Sequence, residues 1–165
     1  MQATRSLLFV PANRQNMLEK SIALPADALI FDLEDTVPPA EKPIARDMVR
    51  ENLPKVPGRR VWVRVNSFDS GFLWDDLDAL VGTAGLAGFL LPKAADPAEI
   101  AQVDRALSEL EIRRGCPADS HELLLLIESA RGVLFWLDAI EDARVQRFVH
   151  EVATARLQTL DVRSE

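Results

Sequence analysis

Short apolar runs alternate with longer amphipathic segments along most of the chain, and this alternation limits the possible folds more than any other feature. The runs are four to six residues long and rich in Val, Ile, Leu and Phe, so we interpret them as strands: Leu7–Val10, Ala28–Leu33, Val61–Val65, Ala87–Leu91 and Leu123–Ile127. A segment with helical spacing follows each run: Arg14–Leu24, Glu41–Leu53, Phe72–Leu80, Asp96–Arg114 and Arg131–Ala143. Strands that alternate with helices in this way predict a parallel sheet covered by helices.

The spacing of the predicted strands favours a barrel over an open sheet. They recur about every 30 residues, close to the roughly 250 residues of a (β/α)₈ barrel divided by eight. An open doubly wound sheet is the alternative, and a Gly-x-Gly-x-x-Gly loop after the first strand would favour it. Pro11-Ala12-Asn13-Arg14 stands there instead. We therefore predict an α/β fold that is part of a TIM (β/α)₈ barrel, with about five βα units.

The pattern changes near the end of the chain. No glycine or proline occurs in the 33 residues after Gly132, and apolar residues recur there at three- and four-residue spacing. This spacing favours a helix. A sixth strand at Val145–Val149 is the alternative, but Gln146 and Arg147 would interrupt a buried parallel strand. We therefore divide the chain into residues 1–144, part of a barrel, and residues 145–165, a divergent helical tail.

Charge and cysteine content exclude some classes of partner and compartment. Nineteen basic and 26 acidic residues give a net charge of −7 that is spread along the sequence. Nucleic acids and anionic membranes require clustered Lys and Arg, so neither is an expected partner. Cys116 is the single cysteine and cannot form an internal disulfide. Without a secretory signal or an apolar stretch near the roughly 20 residues of a membrane span, we expect a cytoplasmic protein.

Polar residues follow the predicted strands at the end where a barrel carries its active site. Asp32, Glu34 and Asp35 come at the end of the second strand, and Arg64 and Asn66 at the end of the third. Lys93 follows the fourth strand, and Glu128 follows the fifth. For Asp35 a role in organising a turn remains open, as does a plain loop position for Lys93. Neither histidine, at 121 or 150, is assigned a role.

The two-residue period of a strand indicates which way these side chains point. Asp32 and Glu34 share a face with Ile30, while Arg64 and Asn66 share a face with Trp62. Leu124, Leu126 and Glu128 likewise lie together. Charges facing outward beneath helices would be buried without partners, at a large cost in free energy. We therefore predict that Asp32, Glu34, Asp35, Arg64 and Glu128 converge at the mouth of the barrel.

Carboxylates facing an arginine, without histidine or cysteine ligands, suit a hard cation such as Mg²⁺. Such a site can bind a 2-oxo acid. The metal coordinates its oxygen atoms, and the arginine pairs with a carboxylate. The metal then acts as a Lewis acid when a carbon–carbon bond breaks and an enolate forms.

Five short motifs in the correct order resemble the HpcH/HpaI aldolase and citrate lyase beta subunit family, which includes malyl-coenzyme A lyases. They are Arg-Ser-Leu-Leu-Phe-Val-Pro at 5–11, Asp-Leu-Glu-Asp at 32–35, Val-Arg-Val-Asn at 63–66, Leu-Pro-Lys at 91–93 and Ile-Glu-Ser-Ala-Arg-Gly at 127–132. Each motif is weak alone, and the combination is specific. The resemblance extends from residue 5 to about residue 144.

The resemblance implies a Mg²⁺-dependent lyase that cleaves acyl-coenzyme A thioesters of hydroxy acids and assembles as a trimer of barrels. It implies that Arg64 and Glu128 line the substrate site, Arg64 binding the substrate carboxylate and Glu128 serving as the metal ligand. Glu34 and Asp35 would support catalysis and its proton transfers. The positions that contact coenzyme A in related lyases are occupied by Phe9, Arg14 and Lys20. Surface charges on a helix are an equally good interpretation of the two cations.

One departure from the family pattern keeps a second hypothesis open. The family's second metal-binding aspartate follows the sixth strand in a Gly-x-x-Asp turn, and this chain has Glu151-Val-Ala-Thr-Ala-Arg-Leu in that region. Asp161 comes later, without a preceding glycine. A fragment, a frameshifted product and a degenerate paralogue all fit this ending. We expect at most a feeble lyase that is prone to associate, and the alternative is a non-enzymatic remnant that binds metal weakly or binds a partner.

Overall fold

The computed structural model describes residues 4–129 and 132, and within them strands and helices alternate as the sequence predicts. The elements are β1 (Leu7–Pro11), α1 (Gln15–Ser21), β2 (Ala28–Asp32), α2 (Lys42–Asn52), β3 (Arg60–Arg64), α3 (Leu73–Leu80), β4 (Leu86–Leu91), α4 (Pro97–Arg113) and β5 (Glu122–Leu125). Each predicted element among these residues is confirmed, with ends that differ by at most three residues. The predicted helix at 131–143 and the tail at 145–165 lie outside the described residues.

The five strands form one parallel sheet whose spatial order is the chain order, β1-β2-β3-β4-β5. In a doubly wound sheet the spatial order of the strands reverses at a switch point, whereas a barrel adds each strand beside the previous one. The order therefore agrees with the barrel prediction. In the register, Ile30 lies opposite Phe9 on one side and opposite Trp62 on the other, so corresponding strand ends meet at one edge.

The sheet buries two separate apolar layers because alternate residues point to opposite faces. Leu29, Phe31, Val61 and Val63 belong to the large core that also contains apolar residues of helices α1 to α4. The opposite face carries a smaller cluster: Ala28, Ile30, Trp62, Leu90 and Leu124. In a barrel this second face is the interior. Two residues further along β2 and β3 the same face carries Asp32 and Arg64.

Local sequence explains where α4 begins and ends. Asp96 is the N-cap, and its carboxylate accepts a hydrogen bond from the Ala98 amide at 2.8 Å, with Pro97 at the first helical position. The helix ends before Gly115, whose φ of +67° lies in the left-handed region. None of the helices in the described part of the chain is both long and apolar enough to cross a membrane.

A buried carboxylate fixes the turn that leads from α4 into β5. Glu111 accepts hydrogen bonds from the Asp119 amide at 3.0 Å, the Ser120 hydroxyl at 3.1 Å and the His121 amide at 2.9 Å. The His121 ring nitrogen Nδ1 lies 2.9 Å from the same carboxylate, and the Gly82 amide donates to Nε2 at 3.2 Å. These contacts place the proton of a neutral ring on Nδ1. The turn therefore depends on one acceptor group.

Replacing Glu111 by alanine is expected to lower the free energy of unfolding by about 2–3 kcal/mol, because buried donors in the turn lose their acceptor. Urea denaturation of the wild type and the variant measures the loss. Glu109→Ala makes the same change at an exposed position of α4 and should cost under about 0.5 kcal/mol. Equal losses in the two variants would mean that water replaces the Glu111 carboxylate.

Candidate active site at the carboxyl ends of the strands

A bidentate ion pair between Asp32 and Arg64 joins the ends of β2 and β3. Arg64 donates from Nε to Oδ1 of Asp32 and from Nη2 to Oδ2, each at 2.7 Å. Asp32 is fully buried and also accepts hydrogen bonds from the Glu34 amide at 2.9 Å and the Thr36 hydroxyl at 2.7 Å. The planar guanidinium is thereby held in one orientation. Both side chains continue the interior face of the sheet.

The surroundings of Asp32 and Arg64 favour the ionised form of both groups. Burial by itself raises the pKa of Asp32, but the hydrogen bonds from Arg64, Thr36 and the Glu34 amide outweigh it and hold the pKa below its usual value. Burial likewise lowers the pKa of Arg64, and the hydrogen bonds and charge of Asp32 more than offset this. Two full charges therefore face each other at the mouth, and each depends on its partner.

Glu34 lies between two cations and is nearly buried. Its Oε2 is 3.2 Å from Nη1 of Arg64, its Oε1 is 3.0 Å from Nζ of Lys93, and its side chain is 6% exposed. Neither oxygen meets a donor with favourable hydrogen-bond geometry, so the contacts are electrostatic. Burial raises the pKa of Glu34, and the neighbouring cations only partly oppose this. A raised pKa suits a carboxyl group to exchange a proton with a substrate.

Lys93 connects Glu34 to Glu128. Its backbone φ of +55° lies in the left-handed region, which is uncommon for a residue with a side chain. The Lys93 amide donates to Oε2 of Glu128 at 3.1 Å, while its ammonium contacts Glu34. The close contact with the Glu34 carboxylate raises the pKa of Lys93. The structure therefore brings Glu34, Arg64 and Glu128 to the same end of the sheet, with Lys93 between the two glutamates.

The three residues suggested for coenzyme A lie at different distances from this group. The ring of Phe9 packs against the guanidinium of Arg64, with 5.1 Å from the ring centre to Cζ. Arg14 is exposed and directly precedes α1, at the same end of the sheet. Lys20 is exposed in the last turn of α1. Because α1 runs back along the sheet, Lys20 lies about 8–9 Å further from the mouth than Arg14.

The structure corrects the predicted position of Asn66 and reveals a buried group that the sequence did not indicate. β3 ends at Arg64, so its alternation does not extend to Asn66. Asn66 instead packs toward the helices, where it contacts Lys42 of α2 and Asp76 of α3. One feature of the sequence could have pointed to this buried group. Lys42 and Arg46 are four residues apart, a spacing that places two cations on the same, buried face of α2.

A cavity of about 390 Å³ lies beside the mouth, between the loops that follow β2 and β3. Glu34, Asp35 and Thr36 form one wall, and Lys42 and Lys93 are also part of its lining. Asp35 is largely exposed, with its carboxylate 3.7 Å from Nη1 of Arg64. A small polar ligand entering here would meet Glu34 and Lys93.

The donor set fits a loosely held Mg²⁺ better than a tightly bound one. In residues 4–129 and 132, no three Asp, Glu, His or Cys side chains come together as a metal site. Glu128 offers an exposed carboxylate at the mouth, and oxygen donors are the ligands that Mg²⁺ prefers. Mg²⁺ commonly keeps several waters and takes one or two carboxylates together with substrate oxygens. The described residues are compatible with that arrangement.

Comparison with known proteins identifies relatives of this chain. Residues 5–154 match the family model described as HpcH/HpaI aldolase/citrate lyase. Citrate lyase subunit beta of Leuconostoc mesenteroides subsp. cremoris is 32% identical over 163 residues, which are 97% of this chain and 53% of that protein. A (3S)-malyl-CoA thioesterase of Cereibacter sphaeroides is 41% identical over 101 residues, 60% of this chain and 35% of that protein. The chain thus spans about half the length of these relatives, or less.

A solved structure confirms the fold class. The citrate lyase beta subunit of M. tuberculosis, complexed with oxaloacetate and magnesium, superposes with a TM-score of 0.66 at 28% identity. The match covers 93% of this chain and 65% of that one.

Proposed function

Because the chain belongs to the HpcH/HpaI aldolase/citrate lyase family, we propose that it is a Mg²⁺-dependent carbon–carbon lyase. Its substrates would be acyl-coenzyme A thioesters of hydroxy acids, such as citryl-, malyl- or citramalyl-coenzyme A. The observation that carries the proposal is the Arg64 guanidinium, fixed by buried Asp32 beside the nearly buried Glu34. A pre-oriented cation beside a carboxyl group of raised pKa suits the cleavage of a carboxylate-bearing substrate.

Arg64 would bind the substrate carboxylate. Asp32 uses the N–H groups of Nε and one of Nη2, which leaves three of the five N–H groups of the guanidinium. Those on Nη1 face the mouth, where Glu34 and Asp35 approach. The ring of Phe9 covers the guanidinium, so the orientation is restrained from a second direction.

Glu34 would carry the proton that the reaction moves. In the proposed step, the substrate hydroxyl gives its proton to the Glu34 carboxylate as the oxygen becomes a carbonyl. The electrons of the breaking carbon–carbon bond pass to the thioester and form an enolate. The enolate then takes a proton at carbon from Glu34, so protons and electrons balance. The raised pKa of Glu34 allows both transfers, and Asp35 would support them from the rim.

The remaining assignments follow from the same proposal. When bound, Mg²⁺ would supply Lewis-acid stabilisation of the enolate charge, with Glu128 as its protein ligand. Phe9, Arg14 and Lys20 would contact coenzyme A, the cations pairing with its phosphates. We also propose residues 1–144 as the barrel part of the chain, 145–165 as a separate tail, a homo-oligomeric assembly and a cytoplasmic location.

A non-enzymatic role is the second candidate. The observation that favours it is the sequence Glu151-Val-Ala-Thr-Ala-Arg-Leu, which stands where the resemblance leads us to expect a Gly-x-x-Asp turn. Such a protein would keep the arginine site for a carboxylate and would bind without cleaving. The two candidates share the binding step and differ in turnover.

Mg²⁺ binding is expected to be weak and to depend on Glu128. Replacing Glu128 by glutamine should weaken Mg²⁺ binding at least about tenfold, since even outer-shell changes commonly cost 10–100-fold. Titration calorimetry with MgCl₂, alone and with oxaloacetate present, measures the affinity. Glu109→Gln removes the same charge from an exposed position of α4 and should leave the affinity unchanged. Equal affinities in wild type and Glu128→Gln would refute the assignment of Glu128.

A further inference from the structure

Lys42 uses its whole hydrogen-bonding capacity at the base of the proposed site. The residue lies at the start of α2 and is 4% exposed. Its ammonium donates to the main-chain oxygens of Leu33 and Glu34, at 2.8 and 3.1 Å. A third bond goes to Oδ1 of Asn66 at 2.6 Å. An ammonium has three donors, and all three therefore hold the segments that follow β2 and β3.

A second set of buried contacts holds Asn66 in place behind Lys42. One oxygen of Asp76 accepts hydrogen bonds from the main-chain amide of Asn66 at 2.8 Å and from its side-chain amide at 2.7 Å. The other oxygen accepts from Nε of Arg46 at 2.7 Å. Asp76 is fully buried. The acceptor of the third Lys42 bond is therefore anchored on both α2 and α3.

The contacts of Lys42 differ from those of an ordinary salt bridge. In the part of the chain that the structure describes, no carboxylate lies within ion-pair distance of its ammonium. Burial lowers the pKa of Lys42, and the more distant charges of Asp76, Asp32 and Glu34 oppose this. The ring of Phe72 lies 5.4 Å from the ammonium. A buried cation that binds only carbonyl groups gains no direct ion pair in return for its desolvation.

We propose that Lys42 is a positioning residue that fixes the main chain of Leu33 and Glu34 and so sets the place of the Glu34 carboxyl group beside Arg64. The importance of that place for catalysis rests on the proposed function. Two hydrogen bonds from the Lys42 ammonium restrain this segment beyond the end of β2, and the third ties it to Asn66 after β3. Without them, the side chain of Glu34 would keep its contacts with Arg64 and Lys93. The main chain would keep the Leu33 amide bond to the Arg64 carbonyl, the Glu34 amide bond to Asp32 and the longer Val37 amide bond to the Glu34 carbonyl.

The test compares Lys42→Met and Lys42→Arg with the wild type. Amide hydrogen exchange at Leu33 and Glu34, followed by NMR without ligand, should be at least tenfold faster in Lys42→Met. The ¹³C resonance of the Glu34 carboxyl group should shift. Calorimetry with oxaloacetate and MgCl₂ should show an affinity at least tenfold weaker. Lys42→Arg retains charge and donors and should restore part of each loss, which separates positioning from simple loss of stability.

Glu111→Ala is the matched control because it weakens the fold far from the mouth. It should leave the exchange of Leu33 and Glu34, relative to Val63 in β3, at the wild-type ratio. If Lys42→Met does not fold, Lys42→Gln, which keeps two N–H donors, takes its place in the same comparison. Wild-type exchange and an unshifted Glu34 resonance in the Lys42 variants would overturn the proposal. If the wild-type chain does not bind oxaloacetate, the proposed function is refuted. The ligand-free measurements would still decide the role of Lys42.

Discussion

Replacing Arg64 by methionine is expected to lower the free energy of unfolding by about 3–5 kcal/mol, the usual cost of leaving one partner of a buried ion pair alone. Asp32 has no exposed surface, so water cannot replace the two charge-assisted hydrogen bonds that it loses. Binding of oxaloacetate should be lost in the same variant, because the guanidinium that would pair with the oxaloacetate carboxylate is gone. Chemical denaturation and calorimetry measure the two effects.

The stability effect of Arg64→Met should depend on pH in a defined direction. In the wild type, the pKa of Asp32 is lower in the folded state than its usual value of 3.8. The carboxylate therefore contributes stability that is present above 3.8 and is lost as the pH falls through the lower folded value. In the variant this contribution disappears, and the buried carboxyl group protonates more readily. The difference between the two proteins should shrink as the pH falls into the acid range.

Two further variants separate the ion pair from side-chain volume. Arg60→Met makes the same change at the other end of β3, where the pair with Glu122 is partly exposed, and should cost under about 1 kcal/mol. Adding Asp32→Asn to Arg64→Met removes the buried charge. The asparagine keeps one oxygen to accept from the Glu34 amide, and its NH2 group can donate to the Thr36 hydroxyl oxygen. The double variant should recover much of the lost stability. If Arg64→Met costs no more than Arg60→Met, the pair does not stabilise the fold.

The strands and their order could be predicted from the sequence because each signal is local. Apolar runs of strand length and the alternation with helices determine the parallel sheet, and the two-residue period places Asp32 and Arg64 on one face. Because a buried charge needs a partner of opposite charge, Asp32 and Arg64 are expected to pair. The structure shows this pair at the ends of neighbouring strands, in register.

The network behind the site could not be predicted in the same way. Lys42 meets Asn66 24 positions later, and Arg46 meets Asp76 30 positions later. Such pairings depend on how α2 and α3 are rotated against the sheet, which the sequence does not specify. The sequence pattern predicts the wrong face for Asn66, because the two-residue period of side chains holds only within the strand. The left-handed conformation of Lys93 likewise follows from the loop rather than from its residue type.

Replacing Glu34 by glutamine is expected to lower the rate of acetyl-coenzyme A release by about 10²–10⁴, the usual contribution of a general acid or base. The change keeps the size of the side chain and removes the group that would carry the proton. Citryl-, malyl- and citramalyl-coenzyme A are the substrates to assay with MgCl₂. In the wild type, the rate should rise as the pH passes the raised pKa of Glu34, since the ionised form accepts the hydroxyl proton. The variant should lack this rise.

Asp35→Asn provides the comparison, because Asp35 is the neighbouring carboxylate and its side chain is 66% exposed. It should slow the reaction less than about tenfold, as a charge exposed to water has a weaker effect at the mouth. We expect the wild-type rate itself to fall well below the roughly 1–10³ s⁻¹ typical of enzymes, because Mg²⁺ is held loosely. Equal rates in wild type and Glu34→Gln would remove Glu34 from the proton transfer. A wild-type chain that binds oxaloacetate with Mg²⁺ and releases no acetyl-coenzyme A would instead favour the non-enzymatic role.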